Sequence, residues 1–226
     1  MNNITRPEFI TLTGADDRTD LGRMRELSRA YPIEWGILFS PERRGGPRYP
    51  SLSFVSALRF GGFRLSAHVC GKYARDIIEH GHAFELESFI GSGIFQRVQI
   101  NTADPEVDPR KVGQWAQRLR LNAILQCRND DHFPVSTDVH WLFDRSGGKG
   151  LSPDKWPHTK DARRLVGYAG GIGPDNVSDV VQTIGAIEHS YWLDMETGVR
   201  DECDRMDMDA CGRVCAQVFS HEEEGQ

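Results

Sequence analysis

Polar and titratable side chains recur at every second position near the ends of short apolar runs. They are Thr11 and Thr13 in FITLT, His68 and Cys70 in RLSAHVC, Gln99 and Asn101 in QRVQIN, Gln126 and Arg128 after NAIL, Asp144 closing VHWLFD, and Asp194 and Glu196 in YWLDME. The alternate positions hold Ile10, Leu12, Val69, Val98, Ile100, Leu125 and Leu193. Side chains alternate across a strand, so such runs have one oily face and one face able to bind and to move protons. A cysteine beside a histidinium ionises readily, and either His68 or Cys70 can accept a proton near neutral pH; a structural histidine with an inert thiol is the competing reading. A second signal is GYAGGIGPDNV (167–177), where glycines let backbone approach a ligand and the first N–H groups of a helix face an anion. A tight, capped strand-to-helix turn would read the same way. A metal site built from His68, Asp194 and Glu196 has no ligand spacing within one segment to support it, so no metal and no other cofactor is expected.

The elements that carry these residues repeat. Strand-like runs fall at 9–13, 33–39, 64–70, 96–101, 122–127, 139–144, 165–170 and 191–196, with amphipathic stretches such as DLGRMRELSRAY, SLSFVSALRF, PRKVGQWAQRLR, PDNVSDVVQTIG and MDACGRVCAQVF between or after them. Alternation of this kind predicts an α/β fold, a (β/α)8 TIM barrel of eight parallel strands spanning 1–226 as one domain. Residues 128–138, RNDDHFPVSTD, are too polar and interrupted for a helix, so the fifth helix is expected to be degenerate. In a barrel the apolar faces pack under helices, which sends the polar set into the lumen and many of its members to the C-terminal mouth.

Composition narrows the partners. The 226 residues are 38% apolar, enough for a sizeable core, and the net charge of -6 argues against a general nucleic-acid binder. No apolar run is long enough to span a membrane and MNNITRPEF is no signal peptide, so a soluble cytoplasmic protein is expected. Five cysteines without Cys-x-x-Cys spacing predict reduced thiols. The oligomeric state is not readable from these features.

Several segments resemble phosphoribosylanthranilate isomerase, the barrel enzyme of tryptophan biosynthesis. LFDRSGGKG (142–150) followed by Trp156 is similar to that family's Leu-Leu-Asp, Gly-Gly-Thr-Gly and Phe-Asp-Trp segments. YAGGIGPDNV resembles its Ala-Gly-Gly-Leu-x-Pro-(Glu/Asp)-Asn-Val, and DMETGVRDE (194–202) its Asp-Val-Ser-Ser-Gly-Val-Glu. FSPERRGGPRYPS (39–51) is similar to the family's Ser-Pro-Arg loop, and FITLTGADD (9–17) stands in the place of its first strand. The resemblance implies a phosphate cradle at Gly170, Gly171, Thr197 and Gly198, with a small phosphorylated ligand as partner. It implies Asp144 as the acid that opens a ribose ring. It implies a carboxylate-gripping arginine among Arg43, Arg44 and Arg48. Strand parity adds Gln99, Asn101 and Arg128 as substrate-contact candidates in the lumen, and Arg128 with Asp131 on the strand-five loop as an acidic–basic cluster around Asp144.

Two positions depart from the pattern. The family's base is a cysteine in Lys-Ile-Cys-Gly; here Thr13 stands there, and an aliphatic hydroxyl ionises too weakly to replace it unaided. Glu196 occupies a serine's place in the phosphate loop, where its charge repels an anion unless offset by Lys149 or Arg200. The expected function is therefore an isomerase-like enzyme with an altered base, acting on a phosphorylated, sugar-derived substrate and distinct from the standard isomerase. The alternative is a barrel without catalysis that binds a phosphorylated metabolite as a sensor or partner protein.

Overall fold

The computed structural model describes residues 4–102, 104–145, 150–153 and 155–219. Its centre is a closed barrel of β1 (Phe9–Thr13), β2 (Ile33–Phe39), β3 (Arg64–Val69), β4 (Arg97–Ile100), β5 (Asn122–Cys127), β6 (His140–Asp144), β7 (Val166–Ala169) and β8 (Tyr191–Met195), in sequential order. Every neighbouring pair is parallel, including the β1–β8 seam that closes the sheet. The outward parity is apolar as expected: Ile10, Leu12, Val69, Val98, Ile100, Leu125 and Leu193 all lie in the core between barrel and helices.

Helices α1 (Leu21–Ala30), α2 (Leu52–Leu58), α3 (Gly71–His80), α4 (Phe84–Ile90), α5 (Pro109–Arg118), α6 (Val177–Gly185) and α7 (Met208–Phe219) surround the strands. Their starts are set locally. Asp20 accepts the Gly22 and Arg23 amides of α1, and Asp108 with Pro109 opens α5.

The regular alternation of the sequence reading holds in part. Two helices, α3 and α4, follow β3, while among the described residues neither the β5–β6 nor the β6–β7 connection contains a helix. The first absence was expected from the polar 128–138 stretch, where Asn129 and Ser136 turn the chain through side-chain bonds to Asp131 and Asp138 amides. The second was not. Side chains do there what a helix would do: Phe133, Phe143, Trp156 and Tyr168 meet edge to face, and the Tyr168 hydroxyl donates to the buried Glu188 carboxylate and to the Pro157 carbonyl.

The floor of the lumen is also filled. Phe9 stacks on Trp192 at 6.0 Å, and with Ile124 and Leu142 they make a separate apolar cluster inside the sheet. Arg97 lies 4.1 Å from the Trp192 ring and 3.5 Å from the Glu34 carboxylate, a buried charged pair beneath the mouth. This plug closes one end of the barrel, leaving the strand C-termini as the open end.

Candidate active site

A cavity of about 280 Å³ opens at that end. Its walls are the polar parity of the strands and the loops after β7 and β8: Thr13, His68, Gln99, Asn101, Gln126, Arg128, Asp144, Asp194 and Glu196, then Gly170, Gly171, Thr197 and Gly198. Strand register brings the aspartates together. Asp144 pairs in the ladder with Ala169, and Ala169 with Asp194, so the two carboxyls are separated by the one small side chain between them.

Asp144 sits where expected, at the end of β6, 6% exposed, with the Gln126 amide donating to its Oδ2 at 3.0 Å. Asp131 does not join it; that carboxylate points outward to Lys155 at 2.7 Å. Arg128 remains on the cavity wall.

Thr13 and Asp194 form a pair not foreseen from the sequence. The Thr13 hydroxyl donates to Asp194 Oδ1 at 2.8 Å across the seam. Burial, reinforced by the Glu196, Glu34 and Asp144 carboxylates, pushes the Asp194 pKa up to about 8, while the Thr13 bond pulls the other way. Gly36, the ladder partner of Thr13, makes room for this arrangement. A Cβ there would stand 2.3 Å from the Thr13 hydroxyl and 3.0 Å from the His68 ring.

His68 and Cys70 are not brought together as a working pair. His68 faces the cavity, but burial and the Arg97 charge hold its pKa down to about 3, so the ring is neutral and cannot ionise a thiol. Among the described residues its Nε2 has no hydrogen-bond partner. Cys70 opens instead onto a second cavity of about 790 Å³ under the β2 loop. Asn101 Nδ2 donates to its sulfur at 3.1 Å, Tyr49 also bonds it, and burial pushes the thiol pKa up. Gln99 donates to Asn101 Oδ1 at 2.8 Å, and Asn101 faces both cavities.

The arginines separate into different tasks. Arg44 lines the second cavity and pairs with Glu85 at 2.7 Å and with the Tyr73 hydroxyl. Arg48 is committed to Glu196 at 2.6 Å and to Asp204 at 2.7 Å. Arg43 lies over the Tyr49 ring and lines the second cavity; among the described residues it pairs with no carboxylate. The charge of Glu196 is therefore met by Arg48. Arg200, expected to offset it, binds Asp204 and the Gly14 carbonyl instead, because its side chain is buried behind the loop. Lys149, the other expected cation, lies outside the described residues, as do 146–148 of the glycine-rich segment.

The glycine cradle has free donors. Among the described residues, the backbone N–H groups of Gly170, Gly171, Ile172, Thr197 and Gly198 donate to no protein acceptor. Asn176 shapes the turn by accepting the Gly173 amide and donating to the Gly171 carbonyl, both at 2.9 Å. Gly170 and Gly171 adopt positive φ of 119° and 62°.

Among the described residues no group of three or more His, Cys, Asp or Glu side chains is placed to hold a metal, and no helix is long and apolar enough to cross a membrane. Fold and site together define a (β/α)8 barrel with a polar cavity ringed by two aspartates and unpaired loop amides. Solved structures of that fold include TrpF from Jonesia denitrificans, which is 15% identical with a TM-score of 0.64 and covers 93% of this chain and 96% of its own. Phosphoribosyl anthranilate isomerase from Thermus thermophilus is 15% identical with a TM-score of 0.60, covering 92% and 97%. A phosphoribosyl anthranilate isomerase in complex with reduced 1-(o-carboxyphenylamino)-1-deoxyribulose 5-phosphate is 14% identical with a TM-score of 0.57, covering 95% and 98%. No protein-family model and no curated protein matches the chain by sequence.

Proposed function

We propose that this barrel is an acid–base isomerase acting on a small phosphorylated, sugar-derived substrate. The observation that carries the reading is the convergence on one cavity of five backbone N–H groups that are unpaired among the described residues and the two aspartates Asp144 and Asp194, the third carboxylate there, Glu196, being held by Arg48. Free amides in two adjacent loops fit the oxygens of a phosphate. A carboxyl on the opposite wall is placed to exchange protons with the rest of the ligand. The ligand of one structurally similar protein, a phosphorylated aminodeoxyketose analogue, has that two-part chemistry. Asp144 is the acid, and the Gln126 amide orients it.

Thr13 in place of a base separates the activity from that of the standard isomerase, so turnover of phosphoribosylanthranilate is expected to be absent or very low. The same residue supports the second reading, a barrel that binds a phosphorylated metabolite and leaves it unchanged. Calorimetric titration with inorganic phosphate and ribose 5-phosphate, beside kinetics on phosphorylated glycosylamines, separates them. Affinity with turnover that Asp144→Asn removes, while affinity stays, supports the isomerase. Affinity without turnover of any such compound leaves the binding protein, and no affinity rejects both. Robust turnover of phosphoribosylanthranilate overturns the reassignment.

A further inference from the structure

We propose that Asp194 is the general base of this site, positioned by Thr13. The inference rests on the isomerase reading and supplies its missing group.

Besides the acid Asp144, five side chains at the mouth are chemically able to take a proton in place of the absent cysteine, and four are disqualified, Glu196 because Arg48 holds it in an ion pair at 2.6 Å. The Thr13 hydroxyl is far too weak an acid to give a useful alkoxide. His68 is held neutral with a pKa near 3, which makes it a poor base at physiological pH. The Cys70 thiol is pushed up by burial and faces the other cavity. Asp194 remains. It is 7% exposed, it lines the same cavity as Asp144, and its Oδ1 is held at 2.8 Å by the residue in the cysteine's place.

The groups facing Asp194 explain its basicity. Glu196 stands just past the end of its strand, Asp144 across Ala169, and Glu34 lower in the lumen, all carboxyl groups; Arg97 beneath is the nearby cation, and Arg48 is already paired with Glu196. Exclusion of water is the main cause and the three carboxylates add to it, so the pKa is pushed up to about 8 against the pull of the Thr13 bond. Such a carboxylate is a stronger base than an exposed one and is half ionised near the operating pH, the range where proton transfer is most effective.

The step balances without any redox partner. Asp144 gives its proton to the ring oxygen as a glycosylamine opens to an iminium ion. Asp194 then takes the proton from the adjacent carbon. The C–H electron pair forms the carbon–carbon double bond, and the carbon–nitrogen π pair settles on nitrogen as a neutral enaminol. Asp194 returns its proton to carbon 1 while the enol hydroxyl gives its own to Asp144, so the carbon–oxygen double bond of the aminoketose forms and both carboxyls are restored. The substrate class is a phosphorylated glycosylamine or aldose with a proton on that carbon.

The test uses the whole protein. Carboxyl 13C resonances of aspartate are titrated in wild type, Asp194→Asn and Thr13→Val, with inorganic phosphate affinity and deuterium exchange at carbon 2 of ribose 5-phosphate measured on each. One carboxyl is expected to titrate near pH 8, to vanish in Asp194→Asn, and to move upward in Thr13→Val, because the Thr13 bond favours the charged form. Exchange should rise with pH through that value and fall about 10²–10⁴-fold in Asp194→Asn at unchanged phosphate affinity. Its inflection should follow the carboxyl in Thr13→Val, which a merely structural threonine would not cause. Exchange that persists in Asp194→Asn, or no carboxyl titrating between about 7 and 9, overturns the base while the phosphate-binding reading stands. Wild type that binds phosphate but exchanges nothing also overturns it. Failure of wild type to bind phosphate removes the isomerase reading itself.

Discussion

The Arg48 guanidinium lies 2.6 Å from the Glu196 carboxylate, joining the β2 loop to the loop that follows β8. The same guanidinium holds both oxygens of Asp204, and its own backbone N–H donates to Asp16. One arginine thus ties together three loops at the rim. It also cancels a negative charge that would otherwise face an incoming phosphate. The residue that looked like a substrate grip in the sequence is an internal counter-ion.

Removing that counter-ion should weaken anion binding through repulsion rather than through a lost contact. Arg48→Ala is expected to lower inorganic phosphate affinity about tenfold, roughly 1.4 kcal/mol, and Arg48→Ala with Glu196→Gln should restore most of it. Calorimetry on the pair of variants decides. Equal affinity in wild type and Arg48→Ala would show that Glu196 does not face the anion.

Asp194 makes stability fall as pH rises. Its folded pKa of about 8 lies above the ordinary aspartate value of 3.8, so the native state holds the proton longer than the unfolded chain. The associated stability is complete below the unfolded value and is lost between there and the folded value. Asp194→Asn should therefore gain on wild type as pH climbs from 5 to 9, reaching on the order of 3 kcal/mol in urea unfolding. A gap that stays constant with pH would contradict the raised pKa. His68 and His140 act in the opposite sense: their folded values of about 3 and 4 lie below 6.5, so stability is lost as pH falls from 6.5 toward those values.

Gly171 tests the cradle for a reason different from the one its sequence suggests. A Cβ there would meet protein first, at 2.6 Å from the Ser152 amide nitrogen and 2.9 Å from the Gly150 carbonyl, in a backbone already at a φ of 62°. Gly171→Val should displace the 150–153 segment and abolish phosphate binding, at a cost of about 1–3 kcal/mol in stability. Gly212→Ala is the control. A Cβ there meets only Leu27 at 3.9 Å, within α7, so the change should stabilise by about 0.5–1 kcal/mol with binding untouched. Normal phosphate affinity in Gly171→Val would place the anion elsewhere.

Cys70 should behave as a thiol. Burial raises its pKa, whereas Cys203 is exposed. Iodoacetamide at pH 7.5 is expected to modify Cys203 well before Cys70, as read by peptide mass spectrometry. Faster labelling at Cys70 would reveal an ionised sulfur and return it to the list of bases.

Local patterns were sufficient to foresee the barrel from strand–helix alternation, the polar lumen with Asp144 from period-two alternation, and the turn after β7 from its glycines, because each depends on neighbours within a few residues. The helix-free 128–138 loop was legible for the same reason, through its polar turn residues. The helix-free β6–β7 connection was not, since its aromatic packing draws Phe133, Tyr168 and Glu188 from distant stretches of chain. The site divides along the same line. Thr13 and Asp194 are 181 positions apart, and Arg48 and Glu196 are 148 apart. A carboxyl's proton affinity is set by the water it loses and the charges that surround it, and an arginine's role by the carboxylate it reaches. Closing the β1–β8 seam and folding the rim loops together supplied both, so tertiary structure alone put Asp194 against Thr13, raised its proton affinity and paired Arg48 with Glu196.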